Sequence, residues 1–186
     1  MKYSKLQNGS DIRGVAMENN AGEAVNLTED AVVSLAKAFV KWLSEKKGKN
    51  LRIAIGRDSR LTGPQITEWA INGLTAAGAD CTDFDMASTP CMFMSTVLGD
   101  EPYDGAIMIT ASHNPKEYNG YKAYWADGAQ VLAPHDTGII DEVNKVKLEE
   151  VKFEANWDLI QIIGGEMDFD YMTAVHEALI DQEVIN

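Results

Sequence analysis

A serine beside a histidine, Ser112-His113, follows a short apolar run at residues 104–109. This run, DGAIMI, is rich in β-forming residues and predicts a buried strand that ends just before Ser112. Ligands of α/β proteins bind at the carboxyl ends of such strands, where backbone N–H groups and helix N-termini converge. We therefore expect Ser112 to be placed for chemistry. The alternative is a solvated hairpin in which Ser112, His113 and Asn114 only satisfy turn hydrogen bonds.

Hydrolysis by a serine would need a base held against it, and the chain offers His113, His135 and His176 for that role. His113 directly follows Ser112, which makes a hydrogen bond between the two side chains awkward, and the sequence contains no GxSxG motif. The residues therefore give little support to a serine hydrolase.

Cations are concentrated in a few polar segments. Of the four arginines, Arg13 lies in NGSDIRG, and Arg57 and Arg60 lie in GRDSR, while Lys122 lies in YNGYK after the serine. A guanidinium group can bind carboxylate or phosphate through two parallel hydrogen bonds. The segments therefore predict an anion site. The alternative is that Arg57 or Arg60 forms an ion pair with Asp58 that braces the loop, and for Arg57 this explains the sequence equally well.

The chain as a whole is acidic, with 16 basic and 29 acidic residues among 186 and a formal net charge of −13. This charge argues against nucleic acid or an anionic membrane as the partner. Cys81 and Cys91 lack metal-ligand spacing, so reduced, buried thiols are expected. The sequence predicts no signal peptide or membrane span, and we expect a cytoplasmic protein.

The string TASHNPKEYNGYK, residues 110–122, resembles the phosphoserine loop of the α-D-phosphohexomutases, the phosphoglucomutase and phosphomannomutase family. DIRG at residues 11–14 is similar to the family's first motif, although Ser10 stands where many members have an aromatic residue or threonine. GRDSR at residues 56–60 is similar to the second motif. The three motifs follow the family's order, and the resemblance to its N-terminal domain I covers about residues 8–146.

The resemblance implies a role for each matching residue. Ser112 would carry a phosphoryl group, donate it to a hexose phosphate and recover the other phosphate from a bisphosphate intermediate, which interconverts hexose 1-phosphate and hexose 6-phosphate. Lys122 matches the lysine proposed as general acid or base, His113 is counted among the active-site residues, and Arg13 would steady the phosphate charge. Arg13, Arg60 and Lys122 are the implied phosphate-binding and substrate-binding residues.

Magnesium is the implied cofactor, and Ser112 would bind it through its phosphate. In the family the remaining ligands come from a DGDxDR loop in a second domain, and this sequence has none; Asp168-Phe169-Asp170 is an echo without the glycine or arginine. The resemblance also implies the remaining mutase domains as partners and glucose 1,6-bisphosphate or a similar activator. We expect the isolated chain to be inactive; the alternative is a noncatalytic phosphoester-binding or interaction domain.

These residues need a scaffold, and apolar periodicity predicts one. Helices alternate with strands, which predicts a three-layer α/β/α sandwich with a mostly parallel sheet. One strand, residues 121–125, should be antiparallel because its link to the preceding strand is too short for a helical crossover. Asn119-Gly120 is expected to form the intervening turn, and Val97 to face inward. Helix starts are predicted at Thr28, Gly63-Pro64, Thr89-Pro90 and Asp136 or Thr137, and strands at residues 51–55, 81–84 and 104–109.

The end of the chain is less regular. Periodicity is lost after Lys147 and returns weakly at residues 169–180. We assign residues 1–165 to the domain with the motifs, and residues 166–186 to a terminal helix or connector toward a second domain.

Overall fold

The computed structural model describes residues 3–147, 149, 151, 153–163 and 165–179. Within these residues seven strands form one sheet, which is covered by α-helices. The strands are β1 (Gln7–Asn8), β2 (Asp11–Val15), β3 (Arg52–Arg57), β4 (Asp80–Met86), β5 (Gly105–Ile109), β6 (Tyr118–Trp125) and β7 (Ile160–Ile162). The helices are α1 (Glu29–Lys47), α2 (Gly63–Ala76), α3 (Thr89–Met94), α4 (His135–Lys145) and α5 (Gly165–Glu177).

The sheet has the strand order β1-β2-β6-β5-β3-β4-β7. Neighbours from β5 to β7 pair in parallel, β6 is antiparallel to both β5 and β2, and β1 is antiparallel to β2. Five of the seven strands therefore run in one direction, and β6 and β1 run in the other. The α/β class and the antiparallel β6 are confirmed, while the short β1 is a second antiparallel strand that was not expected.

Alternate side chains of the central strands enter two separate cores. Ile53 and Ile55 of β3 are fully buried in the core that α1, α2 and α4 share, whereas Ala54 between them lies in a second core with Met92 of α3 and Met167 of α5. Because side chains of a strand alternate between its faces, this division places helices on both sides of the sheet. The predicted three-layer sandwich is confirmed.

The ends of α1 show how local chemistry sets the scaffold. Thr28 is the N-cap in an extended conformation, and Glu29 and Asp30 lie in the first turn, where the helix dipole favours negative charge. Gly48 follows the last turn with φ 95°, a conformation that strains other residues. The sequence predicted the start of this helix at Thr28.

Two local expectations are wrong. Asn119 and Gly120 lie inside β6 and form no turn, because β6 begins at Tyr118. Val97 is 43% exposed, since α3 ends at Met94 and does not carry the residue inward.

The end of the described chain also differs from expectation. The segment that lacks helical periodicity contains β7, which pairs with β4 at the sheet edge. The last helix, α5, begins at Gly165, and its Met167 is buried in the second core. The predicted role of residues 166–186 as a connector stays a prediction, and residues 180–186 lie outside the described residues.

Candidate functional site

The serine loop begins where β5 ends, as the sequence predicted. Ile109 is the last residue of β5, and Ser112 is exposed three residues later with φ 56°, in the left-handed region that non-glycine residues rarely adopt. The Ser112 N–H donates to Thr110 Oγ1 at 2.9 Å. The Thr110 hydroxyl in turn donates to Asp58 Oδ2 at 2.7 Å. This chain of hydrogen bonds connects the serine to the GRDSR segment after β3.

Gly120 explains why the expected turn is a strand. A Cβ atom there would lie 2.4 Å from the Ile12 carbonyl oxygen and 2.8 Å from the Thr110 carbonyl oxygen. Only glycine allows β2 and the start of the serine loop to approach β6 this closely. Asn119, fully buried beside it, donates its side-chain N–H to Thr62 Oγ1 at 3.0 Å.

The Arg60 side chain binds the backbone of the serine loop. Its two terminal nitrogens donate to four carbonyl oxygens at 2.7–3.0 Å, and its Nε donates to Asp58 Oδ2 at 3.1 Å. These five hydrogen bonds equal the number of N–H donors that a guanidinium group has. Its predicted role as a phosphate ligand is untested, and in this structure the group fastens the loop. The four carbonyls belong to Ser112, Asn114, Pro115 and Tyr118.

Arg57, the other arginine of this segment, pairs with Asp85 at the end of β4. The ion pair with Asp58 that was weighed for both arginines is made by Arg60 alone among the described residues. The two arginines of GRDSR therefore hold two different loops.

Arg13 and Lys122 meet at the carboxylate of Asp11, which was not among the predicted site residues. Asp11 Oδ2 accepts a hydrogen bond from Lys122 Nζ and another from an Arg13 terminal nitrogen, both at 2.8 Å. The second terminal nitrogen of Arg13 donates to Asn114 Oδ1 at 2.8 Å. Adjacent strands β2 and β6 thus bring together two predicted site residues and join them to the serine loop.

Burial and charge act in opposite directions on Asp11. Burial raises its pKa, but hydrogen bonds from Lys122 and Arg13, and the charges of both, outweigh burial and hold the pKa below its ordinary value of 3.8. Asp11 is therefore an anion at neutral pH and balances one of the two cations.

The other oxygen of Asp11 is held by an amide. Gln130 Nε2 donates to Asp11 Oδ1 and also to Ser10 Oγ, the latter at 2.8 Å. Asp11 belongs to the DIRG motif, but Arg13 was the residue of that motif predicted to act in the site. Nothing in the sequence pointed to Gln130 as a site residue, because it follows β6 in a loop without a motif.

The three histidines do not form a triad. His113 is exposed, and its Nδ1 lies 3.5 Å from Ser112 Oγ, the outer limit of a hydrogen bond. His135 stacks on Trp125 at 5.1 Å between ring centroids, and His176 is exposed on α5. This placement supports neither His135 nor His176 as a general base for Ser112, and the supporting role predicted for His113 is untested.

Two features are absent from the described residues. They contain no group of three or more His, Cys, Asp or Glu side chains suited to hold a metal ion. None of their helices has the length and apolarity needed to cross a membrane. The predicted magnesium contact through Ser112 is untested.

Comparisons with known proteins give a consistent result. Residues 4–150 match the family model described as phosphoglucomutase/phosphomannomutase, alpha/beta/alpha domain I. A phosphoglucomutase of Neisseria gonorrhoeae is 38% identical over 112 residues, which are 60% of this chain and 22% of that protein. A phosphoglucosamine/phosphogalactosamine mutase of Sulfurisphaera tokodaii is 34% identical over 138 residues, or 74% of this chain and 27% of that protein.

Solved structures agree on the fold. The crystal structure of a phosphoglucomutase/phosphomannomutase family protein from Burkholderia thailandensis superimposes with a TM-score of 0.68 at 24% identity. The match covers 92% of this chain and 35% of that one. The chain thus spans about a quarter of the two relatives in length and about a third of the structural neighbour.

Proposed function

This chain belongs to the phosphoglucomutase/phosphomannomutase family, whose α/β/α domain I it matches, and from that premise we propose that it is the phosphate-carrying domain of a phosphohexomutase. The whole enzyme would interconvert hexose 1-phosphate and hexose 6-phosphate, with Ser112 of this domain as the phosphate carrier. The observation that supports this most directly is the exposed Ser112 in a fixed loop whose Asn114 is hydrogen-bonded to Arg13.

The proposed transfer uses groups already described. The bond between phosphorus and Ser112 Oγ breaks as a bond forms between phosphorus and a sugar hydroxyl oxygen. The Lys122 ammonium would give a proton to the leaving Oγ, and the resulting amine would take the proton of the attacking sugar hydroxyl, so that Lys122 ends the transfer as an ammonium again. Arg13 would stabilise charge on the phosphoryl oxygens. The second transfer, from the bisphosphate back to Ser112, restores the phosphoserine.

Magnesium would neutralise charge on the transferring group, as in other phosphoryl transfers. Apart from a Ser112 phosphate, the described residues offer no set of ligands for it, so the chain by itself does not fit the metal. We infer that the missing ligands, and the groups that hold the sugar, come from other mutase domains. The chain alone would then fold but not turn over, with or without glucose 1,6-bisphosphate as activator.

Peptide mapping tests the assignment of Ser112. The gene product at its natural length is supplied with glucose 1,6-bisphosphate and glucose 1-phosphate, and the phosphorylated peptide is sequenced. Phosphate on Ser112, with turnover lost in Ser112→Ala, supports the proposal; phosphate on another residue, or unchanged turnover in the variant, contradicts it. Hexose phosphate binding without any transfer would favour a noncatalytic domain.

A coupled assay tests the isolated chain. Conversion of glucose 1-phosphate to glucose 6-phosphate, with magnesium and bisphosphate present, should stay at background for the 186-residue chain. Turnover of ~10 per second, which is typical of enzymes, would show that no other domain is needed.

A further inference from the structure

We propose that Asp11 is a positioning residue that fixes Lys122 and Arg13 for phosphoryl transfer while it weakens the binding of phosphate to the resting site. The inference rests on the proposed role of Ser112. It concerns a side chain that is hydrogen-bonded to both cations and, within the described residues, makes no hydrogen bond to Ser112.

The first support is that one oxygen holds both cations. Lys122 Nζ and an Arg13 terminal nitrogen each lie 2.8 Å from Asp11 Oδ2. Two like charges at such close quarters repel each other by an amount that depends on the local dielectric. The carboxylate between them removes that repulsion and gives each side chain a directional partner.

The second support is that the carboxylate itself cannot turn. Its Oδ1 accepts from Gln130 Nε2, which is shared with Ser10, and the Asp11 residue is only 6% exposed. Both oxygens of Asp11 are thus engaged from two sides. A carboxylate held at both oxygens transmits a fixed geometry to the groups that it binds.

The third support is the balance of charge. Two cations and one carboxylate carry a net charge of about +1, and a phosphate ester approaching Arg13 and Lys122 meets the field of Asp11 as well. Neutralising Asp11 would raise the net charge to about +2 and attract the phosphate more strongly. It would also release the two cations from their shared anchor. Affinity should therefore rise while the rate of transfer falls, whereas the loss of a merely structural contact would lower both.

A binding titration tests the first half on the 186-residue chain. Wild type, Asp11→Asn and Asp80→Asn are titrated with inorganic phosphate and with glucose 1-phosphate, followed by amide NMR shifts of residues 110–122. Asp80 is exposed at the amino end of β4, so Asp80→Asn removes the same charge away from the site. We expect about tenfold tighter binding for Asp11→Asn, equivalent to ~1.4 kcal/mol. Asp80→Asn should stay within about twofold of wild type.

Unchanged or weaker binding by a folded Asp11→Asn overturns the inference. Asp11→Ser, which is neutral and smaller, is titrated in parallel, and the dispersion of the NMR spectrum verifies folding in each variant. If Asp11→Asn fails to fold, Asp11→Ser decides by the same criterion. A wild-type chain without phosphate-dependent shifts at residues 110–122 would instead contradict the proposed function.

Turnover tests the second half, in the gene product at its natural length. Asp11→Asn should lower kcat about tenfold or more and lower KM as well, because the resting complex becomes tighter and the transfer slower. An unchanged kcat overturns the positioning role. A raised KM with a lowered kcat would show that Asp11 only supports the structure, and it would overturn the inference too.

Discussion

Arg60 and Arg13 both contact the serine loop, but they use the guanidinium group in opposite ways. Arg60 donates five hydrogen bonds, four of them to neutral backbone carbonyls, and so fastens the loop. Arg13 makes two among the described residues, one to the Asn114 side chain and one to Asp11. The comparison shows two roles for an arginine. A guanidinium group whose N–H donors are all hydrogen-bonded to the protein holds the site together, while one with unused donors can bind a substrate.

The largest effect is expected from replacing Lys122, the second cation that binds Asp11. In the gene product at its natural length, Lys122→Met should lower kcat about a hundredfold or more, because the methionine keeps much of the stem and removes the proton donor. Steady-state kinetics measures the change. A loss confined to KM would mean that Lys122 only binds substrate.

A control for this variant lies in the serine loop that leads into β6. Lys116 is exposed, and Lys116→Met should leave kcat within about twofold of wild type. An equal loss in both variants would trace the effect to overall charge.

The Arg60 side of the comparison predicts a loss of stability. Arg60→Lys should lower the free energy of unfolding by about 2 kcal/mol, since an ammonium group has three donors and no planar fork to reach four carbonyls and Asp58. Urea denaturation of the 186-residue chain measures it. Arg52→Lys, an exchange at an arginine whose side chain is 37% exposed, should change stability little. Equal losses of unfolding free energy in Arg60→Lys and Arg52→Lys would contradict the proposed role of Arg60 in fastening the loop.

The loop that Arg60 fastens holds Ser112 at φ 56°, and this strain can be measured. Ser112→Gly should be more stable than Ser112→Ala by about 1 kcal/mol, because glycine adopts the left-handed conformation without a Cβ clash. Thermal unfolding of the two variants gives the difference. Equal stability would mean that the loop relaxes to a negative φ in solution.

The smallest expected effect is the pH dependence contributed by Asp11. Its pKa is lowered in the folded state, so its stabilising contribution is complete above the ordinary value of 3.8 and is lost as the pH falls through the folded value. The difference in unfolding free energy between wild type and Asp11→Asn should therefore shrink below that pH, by about 1 kcal/mol or less. Urea titrations at a series of pH values check it, and a difference that widens on acidification has the wrong sign.

The sequence predicted the scaffold well because each helix and central strand carries its own pattern. Periodic apolar residues indicated α1 and β3, and the glycine and proline of Gly63-Pro64 marked the start of α2. It failed at Asn119-Gly120, where a turn signal was overridden by tertiary contact. The glycine serves a close approach of β2 and the serine loop, and no local pattern reveals that approach.

The site was predicted only as a set of parts. The motifs placed Ser112, Arg13 and Lys122, but the partners of each cation depend on which strands become neighbours. Asp11 meets Lys122 because β2 pairs with β6, which joins residues about a hundred positions apart in the sequence. Gln130 reaches Asp11 from a loop. Such contacts follow from topology and not from spacing.

The contacts of Arg60 also imply a receptor for a small cation. Truncation to Arg60→Ala would leave four carbonyl oxygens and the Asp58 carboxylate around a space shaped for a flat, five-donor group. Millimolar guanidinium or ethylguanidinium should refill this space and restore the thermal stability that the truncation removes. Urea, which is planar but uncharged, should not. If such chemical rescue occurs, the order of the serine loop in Arg60→Ala depends on the concentration of the added guanidinium ion.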